Sequence, residues 1–144
     1  MANSLLNHEE HQGHQGPPRR GSDLDVIARA IVDAGLAVHR ALGPGLLESV
    51  YEGCLEHELR LRRVAVARQV VAPIDYKGHR IEGAYRLDLL VEGAIVIEVK
   101  SVEALSRLHE AQLLTYLKLS GLTLGFLMNF NVPLFKDGVR RFAN

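Results

Sequence analysis

The side chains with the clearest capacity for chemistry lie in residues 85–100, which read YRLDLLVEGAIVIEVK. Asp88 stands between Leu87 and Leu89, and Glu98 between Ile97 and Val99, inside segments otherwise suited to burial. Lys100 follows Glu98 by two positions, so on a strand both side chains share one face. Charge on a buried face is costly to desolvate unless it is paired or binds a metal. Two converging carboxylates can hold a hard divalent cation such as Mg²⁺ through oxygen ligands. A lysine beside them can orient or deprotonate a water, or neutralise charge developing on a phosphate. The plainer alternative is a Glu98–Lys100 salt bridge with Asp88 as a turn or edge residue.

Two strands must hold these three residues. Tyr85–Val91 and Ala94–Lys100 read as apolar strands joined by a tight turn at Glu92-Gly93. Val64–Ile74 is rich in β-branched residues and predicts a strand before them. Pro73 puts that strand at an edge or a strand end, and Lys77-Gly78 marks a turn.

Upstream, Ser22 reads as a helix N-cap, with Asp23 and Asp25 in the first turn. Ile27, Ile31, Ala34, Val38 and Ala41 recur at helical spacing until Gly43-Pro44-Gly45 breaks the pattern. His39 and Arg40 suit the negative end of that helix. A second helix is expected from Leu46 to Arg62, with Leu47, Val50, Tyr51, Cys54, Leu55 and Leu59 on its apolar side. Glu48 and Tyr51 share a face beside that stripe, and Glu48 alone is an ordinary first-turn acid. Glu52, Glu56, His57, Glu58, Arg60, Arg62 and Arg63 read as a solvated face, and Cys54 as core filler.

Downstream, a third helix is expected from Ser106 to Ser120, stopped by Gly121. Gln112 and Tyr116, four apart, stack on one face. Taken singly, they are a glutamine on a helix shoulder and a tyrosine with a packed ring and wet hydroxyl. Leu122–Phe130 is a buried strand, and Val132–Phe142 a last short strand around the turn Lys136-Asp137-Gly138.

At 144 residues the chain fits one domain with a real core, 47% hydrophobic and 24% charged. Its net charge is zero, so nucleic-acid binding would need a local basic patch. The single cysteine excludes an internal disulfide and a cysteine-rich zinc site, and suits a reducing cytosol. No apolar run reaches membrane-spanning length and no signal-type core opens the chain, so a cytoplasmic protein is expected. Residues 1–21 carry Gly, Pro, Gln and the spaced histidines His8, His11 and His14. A disordered tail is expected there, with the domain over 22–144. No Gly-rich phosphate loop, GxSxG elbow or zinc spacing occurs.

The element order predicts an α/β fold: an α/β/α sandwich around a central mixed β-sheet. Glu48, Asp88, Glu98-x-Lys100 and Gln112-x-x-x-Tyr116 follow one another along it. That series resembles the restriction-endonuclease-like PD-(D/E)xK nuclease superfamily, and its last member resembles the Gln-x-x-x-Tyr motif of the RecB-type branch. GPGLLESVY, residues 43–51, is similar to the signature of the GxxExxY protein family, small bacterial and archaeal members of that superfamily. The resemblance spans residues 23–143 and includes YRLDLL, HEAQLLTYLK and NFNVPLFKDG. It departs from the superfamily pattern at Leu87, where a proline would precede the aspartate.

The resemblance implies a Mg²⁺- or Mn²⁺-dependent nuclease acting on nucleic acid, with DNA as the expected polymer. Glu48, Asp88 and Glu98 would hold the metal, with the backbone carbonyl of Val99 as a further ligand. Lys100 would position the attacking water or stabilise the phosphate. Gln112, Tyr116 and Tyr51 would support the site or touch the substrate backbone. The alternative is a catalytically silent nucleic-acid-binding or protein-interaction module on the same fold, which zero net charge favours. Exposed apolar edges allow a homodimer.

Overall fold

The computed structural model describes residues 21–144. Helix α1 (Gly21–Leu42) is followed by α2 (Glu48–Leu61), strands β1 (Val66–Tyr76), β2 (His79–Val91) and β3 (Ile95–Lys100), and helix α3 (Arg107–Ser120). Strand β4 (Leu124–Asn129), a 3₁₀ turn (Phe135–Gly138) and β5 (Val139–Ala143) complete the chain. Ser22 lies within α1 and not before it. The second helix begins at Glu48, two residues later than its apolar pattern suggests. The turn expected at Lys136-Asp137-Gly138 is the 3₁₀ turn, and the last short strand expected around it over 132–142 forms only after it, as β5. The tail with His8, His11 and His14 lies outside the described residues.

The sheet runs β1-β2-β3-β4-β5, with β3 and β4 parallel and every other pair antiparallel. Parallel neighbours need a long crossover, and α3 supplies it. Ile27, Ile31, Ala34 and Val38 of α1 and Tyr51, Leu55 and Leu59 of α2 pack on one face against Leu89, Ile97, Val99, Phe126 and Met128. On the other face Leu113 and Leu117 of α3 pack against Leu90, Val96 and Leu127. Burial of each such aliphatic side chain contributes roughly 1.5–3 kcal/mol, so both helical layers are held to the sheet. The result is the expected α/β/α sandwich.

Local signals explain the element ends. Glu92 (φ 55°) and Gly93 (φ 62°) form the left-handed turn that joins β2 to β3 with the twist of the strands. Ser106 caps α3 by accepting from His109 N–H at 3.2 Å, while the Ser106 N–H donates to His109 Nδ1 at 3.1 Å. Gly121 ends the helix at φ 74°.

Candidate active site

The β2–β3 register runs Val91↔Ile95, Leu90↔Val96 and Leu89↔Ile97, and then stops. The next facing pair is Asp88 and Glu98, where the carboxylates replace the backbone ladder. Asp88 N–H donates to Glu98 Oε2 at 3.0 Å, and Val99 N–H donates to Asp88 Oδ2 at 2.9 Å. Each carboxylate thus spends one oxygen on a main-chain N–H that would otherwise lack a partner. Asp88 Oδ1 and Glu98 Oε1 accept no hydrogen bond among the described residues. The one fully buried side-chain polar atom there without a partner is the Tyr85 hydroxyl, so these two oxygens still reach solvent.

Burial and mutual repulsion set the charge state of the pair. Glu98 is only 5% exposed. Burial, and then the nearby Asp88 charge, push its carboxyl up to about 8, against the pull of the Asp88 N–H and of Lys100. Burial raises Asp88 to about 6, with Glu52 and Glu48 adding to the rise and the Val99 N–H and Lys100 opposing it. Two carboxyls in this setting favour holding a proton or binding a cation.

Lys100 is half-buried at the end of β3, and its charge is felt by both carboxyls. Among the described residues it makes no ion pair within 4.0 Å, so the plain Glu98–Lys100 salt bridge is not formed. Ser101, next along the chain, ties this strand end to α2. Its N–H donates to Glu48 Oε2 at 3.1 Å and its Oγ donates to the Leu46 carbonyl at 2.6 Å.

Tyr51 shapes the loop that delivers Glu48. Its hydroxyl accepts from Leu46 N–H at 3.0 Å and donates to the Gly43 carbonyl at 2.6 Å. Its ring is fully buried and stacks on Phe130 with centroids 4.7 Å apart. Gly43 (φ 72°) and Gly45 (φ 101°) provide the backbone freedom this loop needs. Tyr51 therefore holds the loop that precedes Glu48.

Tyr116 lies half-buried on α3 and stacks on Tyr85 at 5.1 Å. Burial raises its hydroxyl, and the charges of Glu98 and Asp88 raise it further against Arg86, so it stands within electrostatic reach of both carboxyls. Gln112, one turn earlier on α3, is exposed and makes no hydrogen bond among the described residues.

Sequence reasoning misplaced several residues on the second helix: Leu47 and Val50, expected on its apolar side at its start, are exposed. Glu52, expected on the solvated face of α2, is 6% exposed. It accepts from Arg68 Nε at 2.6 Å and from Gln69 Nε2 at 2.7 and 2.9 Å. Gln69 has φ 57°, a left-handed geometry that costs a side-chain-bearing residue about 1–2 kcal/mol. The register pairs Arg68↔Leu89 and Val70↔Leu87, so Gln69 faces Asp88 across the two strands without pairing to it. Asn129 was also overlooked. It is buried, accepts from Val102 N–H at 3.0 Å and donates to the Val102 carbonyl at 2.9 Å, fixing the chain just beyond Lys100.

The donor set suits a hard cation. Two half-satisfied carboxylates match Mg²⁺, which takes one or two carboxylates and fills its remaining positions with water and substrate oxygens. Among the described residues, no three histidine, cysteine, aspartate or glutamate side chains converge closely enough to hold a metal ion. Glu48, exposed and tied to Ser101, does not complete such a cluster with Asp88 and Glu98, although its charge is felt at Asp88.

A family model described as the PD-(D/E)XK nuclease superfamily matches residues 25–142, and the chain belongs to that superfamily. Its fold is accordingly restriction-endonuclease-like, and nucleases of this class generally use divalent metals. The crystal structure of SSO0001 is similar at 21% identity, over 96% of this chain and 74% of that one, with a TM-score of 0.43. No curated protein matches the chain. No helix among the described residues is long and apolar enough to cross a membrane.

Proposed function

We propose that this chain is a divalent-metal-dependent nuclease hydrolysing phosphodiester bonds of nucleic acid, with DNA as its polymer and Mg²⁺ or Mn²⁺ as its metal. The observation that carries the reading is the Asp88–Glu98 pair: largely removed from solvent, each carboxylate held by one main-chain N–H, each with one oxygen that accepts no hydrogen bond among the described residues, and beside them a Lys100 that makes no ion pair there. The domain is taken as residues 22–144. The likeness of GPGLLESVY, residues 43–51, to the GxxExxY signature supports that group, and the likeness of Gln112-x-x-x-Tyr116 to the RecB-type motif supports that branch.

In this reading Glu48, Asp88, Glu98 and the Val99 carbonyl would hold the metal. A divalent cation bound there supplies Lewis-acid polarisation of the phosphate and a more acidic water. The Lys100 ammonium orients the attacking water and offsets negative charge gathering on the phosphoryl oxygens. Tyr116 donates from its hydroxyl to a substrate phosphate, and Gln112 offers its exposed amide to the same backbone. Tyr51 keeps the Gly43–Leu47 loop in place so that Glu48 faces the β3 end.

A silent nucleic-acid-binding module is the second reading. It is favoured by the lack, among the described residues, of three ligands converging on one point. Labelled DNA and RNA incubated with Mg²⁺ or Mn²⁺, beside Asp88→Ala, separates the two. Cleavage that disappears in the variant supports the nuclease. Binding without cleavage by the wild type supports the module.

A further inference from the structure

The buried Glu52 cluster has no place in the reaction described above, yet it converges on the strand position opposite Asp88. Asp88 lacks ordinary ladder partners on both sides: toward β3 the register ends at Leu89↔Ile97, and toward β1 it skips Gln69. The left-handed backbone of Gln69 causes the second gap. Glutamine has no intrinsic preference for that geometry, which among side-chain-bearing residues favours Asn and Asp. Something must hold it, and Glu52 does so. Both Glu52 oxygens accept from Gln69 Nε2, at 2.7 and 2.9 Å, and Arg68 Nε donates to Oε2 of the same carboxylate at 2.6 Å. Arg68 is in turn steadied by the Ser49 carbonyl at 3.3 Å and by Glu56 at 3.8 Å.

We propose that Gln69, clamped by Glu52, is a positioning residue: it withholds β1 from Asp88 so that the aspartate engages β3 through its carboxylate. Were Gln69 extended, its main chain would face Asp88 as an ordinary ladder partner and draw the aspartate backbone toward β1. With Gln69 turned left-handed, the main chain of Asp88 is left to Glu98 Oε2, and its own Oδ2 reaches Val99 N–H. The clamp therefore fixes the relative placement of the two carboxylates. The inference rests on reading Asp88 as a site carboxylate, and it assigns the placement of that carboxylate to β1, which contributes no metal ligand in that reading, and to Glu52, one turn beyond Glu48 on α2.

Two substitutions in the full chain test it. Gln69→Gly keeps the left-handed backbone accessible but removes the amide from the clamp. Glu52→Gln keeps an acceptor for Gln69 while ending the charge pairing with Arg68. Amide hydrogen exchange in the metal-free protein and thermal melting are read for both. Gln69→Gly should speed exchange at the Asp88 and Val99 amides by about tenfold relative to Leu89 while Tm holds. Glu52→Gln should lower Tm and leave those two amides protected. On a cleaved substrate, Gln69→Gly should lower kcat about tenfold with KM unchanged. If both variants lower Tm together with no selective exchange at Asp88 and Val99, the cluster is only a brace between α2 and β1 and the proposal is overturned. A wild type that cleaves nothing refutes the nuclease reading instead, and the exchange pattern still decides the role of Gln69.

Discussion

Asp88 and Glu98 bridge adjacent strands through their side chains, Glu98 Oε2 accepting from Asp88 N–H and Asp88 Oδ2 accepting from Val99 N–H. One pair of contacts closes the sheet where its ladder ends and leaves two carboxylate oxygens available to a ligand. The same carboxylates thus complete the sheet and form the candidate site, and the two roles have separable consequences.

The first is a dependence of stability on pH. Asp88 is raised to about 6 and Glu98 to about 8, chiefly by burial. In the unfolded chain both titrate near about 4. Between these limits the native state binds more protons than the unfolded chain, so stability falls as pH rises. The contribution is complete below the unfolded values and is lost as pH passes through about 6 and then about 8. Metal-free protein should melt lower at about pH 8.5 than at about pH 5, and Glu98→Gln should flatten that slope. A wild-type Tm that does not fall over this range contradicts the raised carboxyls.

Removing one carboxyl should separate metal binding from folding. Glu98→Ala deletes a proposed ligand and also the repulsion with Asp88, so the fold should survive while Mg²⁺ or Mn²⁺ binding vanishes. Calorimetric titration reads this directly, and unchanged metal affinity sinks the ligand assignment.

Lys100 forms no ion pair among the described residues, and its truncation should leave metal affinity intact. Turnover by Lys100→Ala should drop by about 10²–10³, the usual cost of removing one group that stabilises transition-state charge. Wild-type turnover in this variant would leave Lys100 as surface charge alone.

The loop before Glu48 depends on one hydroxyl. Tyr51→Phe keeps the stack on Phe130 but abandons the Leu46 N–H and the Gly43 carbonyl. The loss should be about 1–3 kcal/mol, and the Tm fall is readable by calorimetry. A variant as stable as wild type would mean that water replaces the hydroxyl.

Gly138 permits a contact that no other residue would. A Cβ there would lie 2.0 Å from the Asn129 carbonyl oxygen and 3.0 Å from Val132 Cγ2. Gly138→Ala should therefore cost about 1–3 kcal/mol or more, because the obstacle is backbone at the end of a buried strand. Denaturant unfolding measures it, and a shift under about 0.5 kcal/mol would show that the 3₁₀ turn yields.

Periodicity and punctuation made the layers legible: the spacing from Ile27 to Val38, the Glu92-Gly93 turn and the Ser106 and Gly121 caps each carry their own local cause. Asp88, Glu98 and Lys100 could be singled out because charge interrupts apolar strands. Glu52 could not, since its partners Arg68 and Gln69 lie 16 and 17 residues away and only tertiary packing brings them together. Nor does sequence announce a left-handed glutamine, because neither side-chain size nor hydropathy favours that backbone. The turn at Lys136-Asp137-Gly138 was legible from its residues, but the close approach of Gly138 was not, because it is to main chain and leaves no side-chain pattern to read.

The interruption at Gln69 also bears on the outer border of the sheet. β1 is an edge strand eleven residues long, the kind of border that can template strand addition from another molecule. The kink at Gln69 and the register shift between Ala72 and Ile74, where Pro73 offers no N–H, divide that border into short segments. Each break guards β1 against a neighbouring chain. The five-residue β5 border at the opposite side carries no such register break among the described residues.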